Sequence, residues 1–480
     1  MRKFLWVVAV GALVLALAAP AMALDFKFGG QYQLRFWSYE GVGFGSVDGT
    51  AGAHPRDVQI RFMPRFETSD DNGNIQTMIR LRMGWNGFGD GGGAGGAPTN
   101  AGWTYRQIDR TGPSAGGAVG NRGVNIETSW MYLDFAAPWG IPLRVRGGYQ
   151  PLYWHKAILI DDSIAGIRLY GATKPFTYEA GWYRATGGPN TAAAPAAGGA
   201  ARAVTSNTYD NNYDFYQFQV GAEVVPWFNP TVDFVYGDNR LNCTPVACPS
   251  PANRVRTVFY GGLAVKGKAG IVSYDLDWVY GFADGGMAGT FGSVGGLGQH
   301  TVKGWALDAG LHFPIGPVTI NPVASYATGD ASNGGDSEAF PGGISPAWNG
   351  PGGYYELIGN GGTLDAATVT QSVITNMWVL GLVFEYRPVK AMYTKFAWGY
   401  AGFAKKAGNC AAATQACYGP SYAGRPDKPL GAKTTLGNEL SFRMDYDLYT
   451  GFKARTFAGW FIPSRGDTAQ EYGLQLLYEF

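Results

Sequence analysis

Four cysteines and four histidines are spread over 480 residues, too few and too scattered for a metal or redox centre. No CxxC or CxxCH motif occurs, so neither dithiol exchange nor covalent haem attachment is encoded. Charged residues are only 15% of the chain, and Lys+Arg 37 against Asp+Glu 36 lacks the cation excess of a nucleic-acid-binding surface. His54, His155, His300 and His312 stand without a serine or aspartate at a recognisable motif spacing, so no catalytic set forms. Beyond the N-terminal two dozen residues no apolar run reaches the roughly 18 residues of a spanning helix. These absences exclude a helical membrane bundle, and they lead us to expect no cofactor, no metal and no enzymatic activity.

Glycine and aromatics are abundant instead: 73 Gly, with aromatics at 15%. Glycine without a three-residue period is not collagen, and this aromatic content argues against a wholly disordered chain. At the N-terminus Arg2 and Lys3 precede an apolar run from Phe4 to Ala19, and Ala21-Met22-Ala23 has the small-x-small pattern of a signal-peptidase site. Residues 1–23 therefore read as a cleaved signal peptide and 24–480 as one exported domain. No cysteine precedes Cys243, so there is no acylation site at the cleavage point. Cys243 with Cys248 and Cys410 with Cys417 are each a few residues apart, which makes two local disulfides the natural expectation in an oxidising compartment.

The remaining chain alternates in hydrophobicity with period two, the spacing that sends successive side chains to opposite faces of a strand. In Arg56 to Glu67, Val58, Ile60, Phe62 and Phe66 point one way, while Asp57, Gln59, Arg61, Arg65 and Glu67 point the other. Strands read at 26–38, 56–67, 74–86, 124–135, 142–151, 163–171, 175–185, 213–225 and 230–237 continue at 255–266, 271–283, 302–313, 317–328, 374–386, 389–403, 434–449, 452–462 and 470–480. That makes about eighteen, with sixteen as the alternative. Connections alternate long and short, the short ones built of turn formers such as Ser69-Asp-Asn-rich 69–73, Pro314 to Pro317 and Thr450-Gly451. Trp37, Tyr39, Trp85, Trp130, Trp182, Trp278, Trp305, Trp378, Trp398, Tyr400 and Trp460 recur near strand ends, where interfacial aromatics are expected.

The C-terminus carries Tyr472, Leu474, Leu476, Tyr478 and Phe480 at every second position. This resembles the last strand of bacterial outer-membrane barrels, whose assembly machinery recognises an alternating aromatic segment ending in Phe. Together with the leader and the strand pattern, the chain resembles a bacterial outer-membrane porin. The resemblance implies an all-β, transmembrane antiparallel up-and-down barrel with short periplasmic turns, long extracellular loops and both termini periplasmic. It also implies outer-membrane lipids and small hydrophilic solutes as partners, with a homotrimer among the assemblies open to it. The basic early strands, Arg144-Val-Arg-Gly-Gly-Tyr-Gln150 and Ala165-Gly-Ile-Arg-Leu-Tyr170 are similar to the alginate-export group of porins, in which arginine-lined lumens pass an acidic polysaccharide.

If apolar positions face lipid, the alternate positions line the lumen. The early strands then offer a basic wall of Lys27, Arg35, Arg61, Arg65, Arg80, Arg82, Arg144, Arg146 and Arg168, and the later ones an acidic wall of Glu223, Asp233, Asp275, Asp277 and Asp308. Arginine offers fixed, always-charged donors suited to anionic groups. The plainer reading is pairing with Glu67, Glu127, Glu179 or loop carboxylates. His312 is expected to face the lumen beside Asp308. Tyr149 to Lys156, followed by Ile158 to Asp162, is compact and rich in aromatics and charge. It either caps its hairpin, the plainer reading, or folds inward as a constriction, a role open also to the long loop from Gly329 to Val369. The functional expectation is passive diffusion of small hydrophilic or anionic solutes. The alternatives are a channel specific for an acidic polysaccharide or oligosaccharide, and a structural or adhesive surface barrel.

Overall fold

The computed structural model describes residues 25–40, 56–87, 118–119, 122–123, 126–138, 140–186, 212–239, 257–284, 301–329, 337–344, 348, 350–359, 374–405, 435–464 and 468–480. The expected signal peptide and all four cysteines lie outside the described residues.

The strands are β1 Asp25–Glu40, β2 Arg56–Ser69, β3 Ile75–Gly87, β4 Ala118–Val119, β5 Arg122–Gly123, β6 Ile126–Ala136, β7 Arg144–Trp154, β8 Ile160–Thr173, β9 Phe176–Thr186 and β10 Asn212–Ala222. They continue with β11 Asn229–Asn239, β12 Thr257–Ala269, β13 Val272–Asp284, β14 Val302–Ile315, β15 Val318–Ala327, β16 Met377–Tyr386, β17 Met392–Phe403, β18 Thr435–Tyr449, β19 Phe452–Pro463 and β20 Ala469–Glu479. The two-residue strands β4 and β5 form a separate ladder. The other eighteen make one antiparallel sheet, each strand paired with its neighbour in the chain. Pairing of Gln31 to Glu40 with Gln470 to Glu479 closes it. Closure satisfies every strand edge, the condition for a sheet in a medium without hydrogen-bonding solvent.

The pleat then sorts the side chains. Facing residues of antiparallel strands share a side, so the pairs Phe28–Phe66 and Tyr32–Phe62 put Arg61 and Arg65 on the other one. Phe28, Phe218, Phe234, Leu380 and Leu474 stand exposed on the outer face, while Gln33, Arg35, Gln217, Asp277 and Ser441 are buried inside. Not every tryptophan joins the outer belt. Trp37 is buried among inward positions, and Trp130 faces Arg80 across the β3/β6 ladder. Hydrophobicity alone cannot assign a side once the lumen itself has apolar contents.

Those contents are the main departure from the expected hollow barrel. The strands beside Tyr149–Asp162 extend to Trp154 and restart at Ile160, leaving a tight turn at residues 155–159 that folds inward instead of capping the hairpin. Residues 337–344, 348 and 350–359 also enter the barrel, with Phe340, Trp348, Tyr355, Leu357 and Ile358 fully buried. Both expected inward elements are therefore used, and they touch, Ile344 N donating to Leu159 O at 2.8 Å. Small inward residues, Ala306, Ala327, Ala397 and Ala401, belong to the same core cluster as these inserts. They leave the room that the inserted aromatics fill. The alternation of long and short connections fails at the 155–159 turn and at the brief link between β19 and β20.

Candidate functional site

Two faces of the inner wall carry the charge. On β1 to β3 the inward arginines are Arg35, Arg61, Arg65, Arg80 and Arg82. Arg65 stands directly opposite Arg80, a placement in which like charges repel. Among the described side chains no carboxylate lies within ion-pair distance of Arg65 or Arg80, and Arg82 stands opposite Glu127 in the β3/β6 ladder. Arg80 rests instead over the Trp130 ring at 4.3 Å, and its Nη2 lies 3.6 Å from Met63 Sδ. Register shifts fall between Ile60 and Arg61 and between Arg80 and Leu81. Bulges re-aim side chains locally, and these two sit beside the arginines of this ladder.

On β6 to β9 the arginines are neutralised, through Glu179 as the pairing alternative anticipated and through Asp134, which that alternative did not include. Asp134, its side chain fully buried, accepts Arg144 Nε and Arg146 Nε, each at 2.7 Å, and Arg168 pairs with Glu179. Arg168 also lies over Tyr170 at 4.8 Å. Lys27 is no wall residue. It stands exposed near the start of β1, bound to Asp25 at 3.2 Å.

The expected acidic wall changes character. Glu223 falls past the end of β10, exposed, with its backbone N donating to Pro175 O at 2.8 Å. The β10/β11 ladder stops at Gly221 and Thr231, while the apolar alternation continues into the turn and misleads a reading by period. Asp233, Asp275, Asp277 and Asp308 do face inward, but they converge on the inserted turn. His155 Nε2 lies 2.6 Å from Asp233 Oδ1, and Nδ1 lies 3.1 Å from Asp277 Oδ1. Lys156 Nζ pairs with Asp275 and reaches Asp308 Oδ1 at 2.8 Å. Asp308 further accepts Ser325 Oγ at 2.7 Å, Trp348 Nε1 at 3.1 Å and Gly352 N at 3.4 Å. His312 is not bound to Asp308: four residues of strand span roughly 13 Å, and its ring meets Asp275 Oδ2 at 2.5 Å and Asn321 Oδ1 at 2.8 Å instead.

The second insert docks on β17 and β18 through residues the sequence reading passed over. Glu439, fully buried, accepts the backbone N–H groups of Glu356, Leu357 and Ile358 at 2.7, 3.0 and 2.6 Å. Lys395 reaches Tyr354 O and Glu356 Oε1. Farther along, Asp445 joins Arg443 at 2.7 Å and Arg455 at 2.8 Å. Extending the same alternation to the last strands would have found Lys395, Glu439, Arg443, Asp445 and Arg455. The role of Asp134 as a shared counter-ion had no such signal, because its partners become neighbours only in the β6/β7 register.

Fold and inner wall together define a closed eighteen-stranded barrel with a charged, partly filled lumen. No protein-family model matches the sequence, and no curated protein matches it. Solved structures of the same architecture do. The Pseudomonas aeruginosa outer membrane protein OpdK is 10% identical, with 95% of this chain and 98% of that chain covered at a TM-score of 0.54. OccK9 (OpdG) of the same organism has the same identity and coverage at 0.52. OccK2 (OpdF), solved in complex with glucuronate, again covers 95% and 98% at 10% identity, with a TM-score of 0.50. At this identity the likeness is one of fold.

Proposed function

We propose that this chain is an integral outer-membrane channel through which small hydrophilic solutes diffuse passively, with a preference for anions. The observation that carries this reading is the inner-wall ladder in which Arg65 and Arg80 stand opposite each other, neither with a carboxylate partner among the described side chains. A barrel of this strand number is wide enough for an aqueous path, and the two inserts fill part of its interior. Guanidiniums spaced along a wall hold an anion weakly at several points in succession, which permits entry and release. The apolar outer face, the leader and the aromatic C-terminus support an outer-membrane location with the short turns and both termini in the periplasm. Binding of glucuronate, an acidic sugar, by one barrel of the same fold agrees in charge.

Purified protein in planar bilayers is expected to give stable conductance and a reversal potential of anion-selective sign. Glucuronate is expected to reduce the current, and Arg80→Gln with Arg82→Gln to relieve that block. Absence of current, or block by neutral sugars as strong as by glucuronate, would count against the reading. An acidic oligosaccharide, as the alginate-export resemblance implies, is the second reading, favoured by the same ladder. It would be preferred if oligomeric uronates block at lower concentration than the monomer.

A further inference from the structure

The acidic face of β11 to β14 is covered by a piece of this chain. His155 spans Asp233 and Asp277, and Lys156 spans Asp275 and Asp308. Asp233, Asp277 and Asp308 are thereby buried. The turn that brings these cations in has three consecutive residues, His155, Lys156 and Ala157, at φ of 51°, 50° and 64°, a region L side chains rarely adopt. Such backbone persists only where its surroundings hold it. Here they are four carboxylates and the dry packing of Ile158 and Leu159. The covered face still borders open space. A cavity of about 460 Å³ is lined by Lys156, Asp275, His312, Lys266 and Tyr354, and the side chains of Lys156 and Asp275 remain 17% and 21% exposed.

We propose that Lys156, assisted by His155, sets the ionic preference of the lumen. It acts as a tethered counter-cation that conceals Asp233, Asp275, Asp277 and Asp308 and leaves the β2 and β3 guanidiniums as the charge a solute meets. This rests on the channel reading. The partners are not equivalent. Without Lys156, Asp277 keeps His155 and Asp275 keeps His312, whereas the other donors to Asp308, Ser325 Oγ, Trp348 Nε1 and Gly352 N, are all uncharged. Loss of the lysine thus removes a cation and uncovers a carboxylate at the same point beside the cavity.

Reversal potentials across a potassium chloride gradient test this. Lys156→Met is expected to lower the anion-to-cation permeability ratio several-fold, Lys156→Arg to preserve it, and Lys156→Met with Asp308→Asn to bring it back towards wild type. Asp308→Asn alone, which keeps the tethered cation, is expected to raise the ratio and serves if Lys156→Met does not yield a folded barrel. A folded Lys156→Met barrel with the wild-type reversal potential, or an Asp308→Asn barrel indistinguishable from wild type, overturns the assignment. A wild-type protein without conductance would overturn the channel reading instead.

Discussion

His155 joins the inward turn to two strands, and its protonation decides how firmly it does so. Burial by itself would lower its pKa, but the hydrogen bonds to Asp233 and Asp277, reinforced by their charges, push it up to about 9. Asp275 and Asp308 also face the turn, balanced by Lys156. A histidine raised in the folded state stabilises fully below its ordinary value of about 6.5 and loses that contribution as pH climbs through the folded value. Conductance is therefore expected to stay constant from mildly acid to neutral pH and to change with a midpoint near 9. Replacement by Gln should abolish the transition, and a wild-type midpoint near the ordinary histidine value would contradict this linkage. At this scale the sequence was partly legible. Period two put Arg61, Arg65, Arg80 and Arg82 on one side of their strands, because side-chain alternation is a local property of the strand, and the ladder gives them a common face. It could not tell the unneutralised Arg80 from the paired Arg146, since that depends on which strand lies alongside.

The inserted segment at residues 350–359 shows how an element can be irregular and still specified. Three successive N–H groups converge on one buried carboxylate, Glu439, and hydrogen bonds to a charged acceptor are stronger than neutral ones. Beside it the Tyr355 ring lies against Gly381 and Gly399, and its hydroxyl donates to Trp398 O at 3.0 Å. Any side chain at Gly399 would occupy the place of that ring. Gly399→Val should therefore expel the insert, seen as a higher single-channel conductance and new protease cleavage within 350–359. Glu439→Gln keeps the shape but weakens the staple, by about 1–3 kcal/mol, and should produce a milder form of both effects. Unchanged conductance in both variants would show that the insert does not restrict the path. The sequence offered this loop as one of two inward candidates and could not choose between them, because its apolar residues look alike whether they cap a hairpin or fill a lumen.

Across the whole molecule, closure depends on the last strand finding the first. Phe480 exchanges backbone hydrogen bonds with Gly30 at 3.0 and 3.1 Å, and its ring lies 5.5 and 6.0 Å from Phe28 and Phe62. Replacing Phe480 by Ala should lower the temperature at which the barrel loses its compact electrophoretic mobility, and an unchanged transition would separate the terminal ring from the stability of the seam. Architecture was the most legible level. Strand number, the closing partner and the inner and outer faces all follow from a repeating alternation, and an antiparallel sheet of successive hairpins leaves little topological choice. What the sequence by itself determined is thus the barrel and the alternation of sides along each strand, since both follow from periodicity within a strand, while apolar residues such as Trp37 that point inward could not be told from lipid-facing ones. Only the tertiary structure decided which lumen charges cancel. Asp233, Asp277 and Asp308 lie far along the chain from His155 and Lys156, and they meet only when eighteen registers and one strained turn are in place.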